Sequence, residues 1–158
     1  MRIYLDNCCY NRPFDDQTQD RIHIESEAVL AILKACENGL LQILSSPVVK
    51  LEIDKFSNED KREKVLALYS IANPDIPFTE EIKNRAEDIR SKSSIRLMDS
   101  LHVATAEAGK VDAMLTTDDK LIKACEKLRL GIKVVNPITF LLEMSKGDEK
   151  WVQLKQLI

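Results

Sequence analysis

The chain has no apolar run approaching the length of a membrane span. It has no repeat, no low-complexity tract and no composition break that would mark a second domain. Its 158 residues fit one domain, expected over residues 1–146, with a short amphipathic tail over 147–158. It has no Cys-x-x-Cys: Cys8 and Cys9 are adjacent, and Cys36 and Cys125 stand alone, the pattern of free reduced thiols. The opening Met1-Arg2-Ile3-Tyr4-Leu5 has no signal-peptide design, which sets the expectation of a cytoplasmic protein. There is no excess of positive charge either. The net charge of −3 excludes a bulk nucleic-acid binder. No Ser-His-Asp arrangement is recognisable, so the sequence offers no side-chain nucleophile.

What the chain does have is alternation of short strand-like runs and longer helical ones. Arg2–Leu5 reads as a strand, followed by a loop from Asn7 to Asp16 that holds Pro13. Gln17–Asn38 reads as a helix, with Ile22, Ala28, Val29, Ile32, Leu33 and Cys36 on one face and Gly39 as its stop. Leu40–Leu44 is a second strand. Ser46 then caps a helix with Pro47 at its first position. Ser57-Asn58-Glu59-Asp60 opens a further helix that fades at Asn73-Pro74, and Pro74–Phe78 is a connector with room for a short strand. Thr79 caps Glu80–Arg90, whose first turn is acidic. After a loop over Ser91–Arg96 come a helix over Met98–Ala108 ended by Gly109, a strand at Ala113–Leu115, and a helix over Asp119–Leu128. A strand at Ile132–Val135 and a helix over Pro137–Met144 complete the pattern. Strands alternating with helices predict an α/β fold of three layers, with a mainly parallel central sheet of four to five strands. In the tail, Trp151, Leu154 and Ile158 share one helical face, suited to packing back on the domain or to a partner.

Against this frame, four acids stand out. Asp6 ends the first strand, Glu52 lies one turn into the helix capped by Ser46, Asp99 opens Asp99-Ser100-Leu101-His102-Val103-Ala104, and Asp118 closes Leu115-Thr116-Thr117-Asp118. In an open α/β sheet the carboxyl ends of the strands and the flanking helices converge on one crevice. Carboxylates gathered there repel one another unless hard cations hold them together, and oxygen-only sites suit Mg²⁺ or Mn²⁺. Each acid also has a plainer reading. Asp6, Asp99 and Asp118 can cap helices, Asp118 most readily, and Glu52 can be a surface residue. His102 lies one turn beyond Asp99, and the reading of the sequence gives it a core role with its nitrogens satisfied, not a place among metal ligands. Asn7 can orient Asp6 or contact substrate, Thr116 can support Asp118 or meet a phosphate, and Asp119 is a rival for the Asp118 position. Arg12 can reach a phosphate, and Phe14 can stack a base or tuck into the core.

The order and setting of these acids resemble the PIN-domain nucleases. Leu5-Asp6, Ser46 to Glu52, Asp99 to Ala104, and Thr116-Thr117-Asp118 match the family pattern across nearly the whole chain, from about Arg2 to about Phe140. The resemblance implies a PIN-like α/β/α fold and a catalytic set of Asp6, Glu52, Asp99 and Asp118, with Asp6, Asp99 and Asp118 as metal ligands. It implies an Mg²⁺- or Mn²⁺-dependent endoribonuclease acting on RNA, with in-line attack by water, a 5′ phosphate and a 3′ hydroxyl in the products. It further implies the toxin of a type II, VapBC-like toxin–antitoxin pair, a homodimer with an antitoxin protein as partner and no membrane association. The segment Asn11–Asp16 departs from the usual toxin pattern, where a helix follows sooner. A catalytically weak PIN-fold module that binds RNA or protein is the alternative. A phosphatase of the Asp-x-Asp type is disfavoured because position 8 is Cys8.

Overall fold

The computed structural model describes residues 1–146. The expectation for the 147–158 tail falls outside the described residues. Four strands, β1 (Arg2–Leu5), β2 (Gln42–Leu44), β3 (Ala113–Leu115) and β4 (Lys133–Val135), form one sheet in the order β2-β1-β3-β4. Every pairing is parallel. Ile3, Tyr4 and Leu5 of β1 are fully buried, as are Met114 and Leu115 of β3. Central strands of a sheet covered on both faces read as continuous apolar runs rather than as alternation, and Ile3-Tyr4-Leu5 and Ala113-Met114-Leu115 are such runs.

The helices are α1 (Asn7–Asn11), α2 (Asp20–Glu37), α3 (Pro47–Asp54), α4 (Glu59–Tyr69), α5 (Glu80–Ser91), α6 (Leu97–Ala108), α7 (Asp119–Glu126) and α8 (Pro137–Ser145), with a 3-10 turn at Arg12–Phe14. Helix α2 packs on α8, while α5 packs on α6 and α6 on α3 and β3. The α/β architecture with a parallel sheet is as expected. The connector Pro74–Phe78, which has room for a short strand, forms only an isolated parallel bridge between Ser45 and Asp75. No helix among the described residues is long and apolar enough to cross a membrane.

Several boundaries differ from the sequence expectation, each for a local reason. The segment Asn7–Asp16 is not a loop: its first half is helical, because Asn7, Cys9 and Tyr10 are buried directly beneath β1. The long helix begins at Asp20 rather than Gln17. Asp16 accepts from the Thr18 backbone N–H and hydroxyl, and the Gln17 amide donates to the Arg12 and Asp15 carbonyls, so these residues are spent on a turn. Strand β2 begins at Gln42 because Leu40 is used to close α2, its N–H donating to the Ala35 carbonyl.

The caps at Ser46, Asn58 and Thr79 are made as their sequence positions imply, each side chain accepting a backbone N–H of the first turn. The parallel register sets Leu5 beside Leu115 and Tyr4 beside Leu44. The residues that follow, Asp6, Ser46 and Thr116 to Asp118, therefore leave the sheet at one edge.

Gly39 carries the α2 exit, with φ of 73°. A Cβ built there meets nothing within 4 Å, so any penalty is the backbone's alone. Gly39→Ala is expected to cost about 1–2 kcal/mol in chemical denaturation. An unchanged midpoint would show that the helix exit is not held in this conformation.

Candidate metal centre

At that edge, Asp6, Glu52 and His102 each present a ligand atom within 4.8 Å of the others. Asp6 is buried where β1 ends, Glu52 is half-buried on α3, and His102 is fully buried on α6. His102 Nε2 bonds Glu52 Oε1 and stands 3.5 Å from Asp6 Oδ1. Its other nitrogen, Nδ1, is 2.7 Å from the Tyr4 hydroxyl, which lies 2.9 Å from Ser46 Oγ. This chain of hydroxyls serves either protonation state of the imidazole. With Nδ1 bare, Tyr4 donates to it and Ser46 donates to Tyr4. With Nδ1 protonated, both hydroxyls reverse. In both states Nε2 carries the proton that Glu52 accepts.

The charges around His102 compete. Burial opposes protonation and is the largest single influence. The Asp6 charge, the Glu52 hydrogen bond and charge, and Asp99 together outweigh it, so the imidazole pKa is raised. Burial, above all, also raises Tyr4, which keeps the phenol neutral and able to donate.

Thr116 fixes Asp6 from the other side. Its buried hydroxyl donates to Asp6 Oδ2 at 2.9 Å and accepts the Asp118 N–H at 3.2 Å. Cys8 Sγ lies 3.4 Å from the same hydroxyl and accepts the Thr117 N–H. Asp118 caps α7, with Oδ1 accepting the Lys120 and Leu121 N–H groups at 2.9 and 3.2 Å. This is the plain role foreseen for it, and it leaves Oδ2 without a hydrogen bond among the described residues. Asp99, in the first turn of α6, lines a cleft with Asp118, Arg96 and Lys120. Its carboxyl pKa is raised, first by burial, then by the Asp6 charge; Asp118 adds, and His102 and Arg96 oppose. Asp99 thus lies within the electrostatic reach of both Asp6 and Asp118.

The donor set fits a divalent cation. Carboxylates from four segments approach one edge, and Asp99 holds its proton more tightly, first because it is buried and then because of the Asp6 and Asp118 charges. The side-chain oxygen Oδ1 of Asn7, next in sequence to Asp6, is buried without a hydrogen-bond partner among the described residues.

Other residues singled out in the sequence are held elsewhere. Arg12 pairs with Asp15 at 3.1 Å and with Glu25 at 3.2 Å, and Asp119 pairs with Arg21 at 2.7 Å. Phe14 packs half-buried against the core. Three roles were not anticipated, those of His102, Glu25 and Tyr4. His102 is in the core and satisfied, as expected, but it is also the contact between Asp6 and Glu52. Glu25, fully buried on α2, accepts from Arg12, Arg21 and Asn136, tying the 3-10 turn and α2 to the start of α8. A signal for Glu25 existed: it falls on the apolar face of its helix, three residues past Ile22 and four before Val29. Tyr4 had none, since an aromatic in a strand reads as core.

Compared with known proteins, the chain matches the family profile described as PIN domain over residues 13–127. That span takes in Glu52, Asp99 and Asp118. No curated protein matches it. Among solved structures, it is similar to a chain of VapBC2 from Rickettsia felis, determined bound to a DNA fragment from their promoter. The TM-score is 0.55 at 17% identity, over 86% of this chain and 98% of that one. The likeness is one of fold.

The raised imidazole has a consequence for the metal-free protein. A folded pKa above the unfolded value of about 6.5 contributes stability that is complete below that value and lost as pH rises through the folded one. In EDTA the melting temperature should therefore fall as pH is raised above that unfolded value, through the range where His102 loses its proton. His102→Gln can still donate a hydrogen bond but does not titrate, so its melting profile should be flatter across that range. Equal slopes would show that His102 is not an ionised partner of Asp6 and Glu52.

Proposed function

The chain belongs to the PIN-domain family, and on that premise we propose that residues 1–146 form a metal-dependent endoribonuclease hydrolysing RNA phosphodiester bonds. The observation that carries this reading is the approach of Asp6 and Glu52 at the carboxyl edge of the sheet, with Asp99 raised first by burial and then by the charges of Asp6 and Asp118. Asp6, Asp99 and Asp118 are the metal ligands and Glu52 completes the catalytic set. Hard oxygen donors select Mg²⁺ or Mn²⁺. Such an ion supplies Lewis acidity and an acidified water for in-line attack on phosphorus.

The chain's own residues do the rest. Thr116 orients Asp6 through Oδ2. The backbone N–H groups of α7 hold Asp118 by Oδ1. Tyr4 and Ser46 fix the His102 ring so that Nε2–H holds Glu52. Asn7 stands beside Asp6 as a further oxygen donor toward the ion or the substrate. Arg12 and Asp119 act at one remove, through the ion pairs that brace the 3-10 turn and the first turn of α7.

The biological setting we propose is the toxin of a VapBC-like pair: a cytoplasmic homodimer restrained by a small antitoxin protein. It rests on the motifs named above and on the fold shared with VapBC2 from Rickettsia felis. The purified protein should elute as a dimer by size exclusion with light scattering, and a monomer mass at tens of micromolar would reject that part.

For the chemistry, single-stranded RNA should be cleaved with Mg²⁺ or Mn²⁺ and left intact in EDTA. Asp99→Asn keeps the shape of the side chain and removes a charge from a crowded site. It should abolish cleavage, leave the metal-free protein as stable or more stable, and shrink the upward shift of melting temperature that Mn²⁺ produces. That shift corresponds to about 2.7 kcal/mol at a hundredfold excess over Kd. Cleavage that persists in excess chelator, or a full Mn²⁺ shift in Asp99→Asn, would refute the assignment.

A further inference from the structure

The acidic edge is one end of a longer groove whose remaining length is basic. The cleft that holds Asp99 and Asp118 is also lined by Ser94, Arg96, Lys120 and Ala124. Ser94, Lys120 and Ala124 also line a second depression, together with Lys92, Lys123 and Lys127. Lys92, Lys127 and Leu128 then line a third, with Arg85 and Arg129. The three depressions are thus continuous. They run from the α5–α6 connection along one side of α7 to the residues just beyond it. No acid lines the second or the third.

The state of these cations sets them apart. Elsewhere on the described surface, lysines and arginines are commonly matched to a carboxylate, as Lys50 is to Asp54 and Lys64 to Asp60. Arg85 and Lys92 are matched in the same way, through Asp88 and Glu107. Arg96, Lys120, Lys123, Lys127 and Arg129 are exposed and make no ion pair among the described residues. The nearby carboxylate of Asp119 is engaged by Arg21. Lys120, Lys123 and Lys127 recur at the spacing of one helical face, along roughly 10 Å of helix axis. In a chain of net charge −3, this is where positive charge is both concentrated and unspent.

We infer that this groove carries the sugar–phosphate backbone of a single RNA strand into the acidic site, with Lys120, Lys123, Lys127 and Arg129 facing successive phosphates and Arg96 at the mouth. The inference rests on the nuclease reading and adds to it the path of the substrate. Two features favour a nucleic-acid backbone over an acidic peptide. The row of cations opens directly onto the carboxylates proposed to hold the scissile phosphate. Beyond the acidic cleft, the second and third depressions offer only Ala124, Ile89 and Leu128 as apolar lining, little to anchor a protein side chain. No aromatic side chain lines it. Contact there is therefore electrostatic and sequence-tolerant, without base stacking.

The test is fluorescence anisotropy of a labelled single-stranded RNA of about twenty nucleotides, in EDTA, with its integrity checked on a gel. Binding is then read independently of cleavage. The wild type should bind with an affinity that falls steeply with salt. Lys123→Ala with Lys127→Ala should weaken binding roughly ten- to thirtyfold near 0.1 M salt and lower the logarithmic salt slope by about 1.4, from about 0.7 per phosphate contact. Its melting temperature should be unchanged, and Lys123→Arg with Lys127→Arg should restore binding. Retained affinity and slope in the alanine pair would overturn the inference, as would a wild type that does not bind RNA. So would equal binding of poly-glutamate lost in the same variants, which would assign the groove to a protein partner. Salt-dependent RNA binding lost in the alanine pair, but with no cleavage under any divalent ion, would support the groove while removing the nuclease reading.

Discussion

Like-charge repulsion at the carboxyl edge of the sheet is the constraint to which the rest of this structure answers. A parallel sheet sends the residues after its strands to one side, and here those residues and their neighbouring helices bring Asp6, Glu52, Asp99 and Asp118 together. In water such a cluster would disperse. In the fold each acid has a counterpart: His102 for Glu52, Thr116 for Asp6, the first-turn N–H groups of α7 for Asp118, and the facing charges of His102 and Arg96 for Asp99. These partners offset part of the repulsion in the metal-free protein without consuming every carboxylate oxygen. What remains is a field that a small, doubly charged cation would satisfy.

The support runs deeper than the site. Tyr4 lies in the first strand, Ser46 starts α3 and His102 sits in the middle of α6, so the hydrogen-bond chain through them links the sheet to two helices. Tyr69 closes it from behind, its hydroxyl donating to the Ser46 carbonyl and accepting the Ser46 N–H. The Glu25 network does a corresponding job on the other side. It braces α2 against the 3-10 turn and α8, while Arg21 reaches on to Asp119 and the Thr117 carbonyl. Buried polar networks of this kind specify geometry more than they add stability, and geometry is what a constellation of carboxylates needs. The outer surface completes the electrostatic layout, with the acids at one end of a groove and cations along the rest, of which Arg85 and Lys92 are ion-paired.

Most of the fold was legible because the signals were local. Apolar runs of strand length, Pro47 behind Ser46, and the caps at Asn58 and Thr79 each act within a few residues, and the structure places them accordingly. The differences came from contacts that sequence order hides. Asn7–Asn11 is helical because it packs under β1, and Asp16 to Gln19 form a turn because their side chains return to nearby backbone. At the site, the four acids were visible as a pattern. The part played by His102 was not, because an apolar helix gives a buried histidine no visible partner. Its link to Tyr4 spans 98 positions and its link to Glu52 spans 50. The basic groove was equally hidden: Arg96, Lys120 and Lys123 stand near the acidic motifs in the sequence, but which cations lack a carboxylate partner is visible only in the fold.

The central claim is that the carboxylates at this edge form a cation site, and a crystal soaked in Mn²⁺ and measured for anomalous scattering tests it most directly. The account predicts a peak bounded by oxygens of Asp6 and Asp99, with the His102 ring still held by Tyr4. A strong Mn²⁺ peak elsewhere on the molecule, with Asp6, Glu52 and Asp99 bound only to their protein partners, would contradict it.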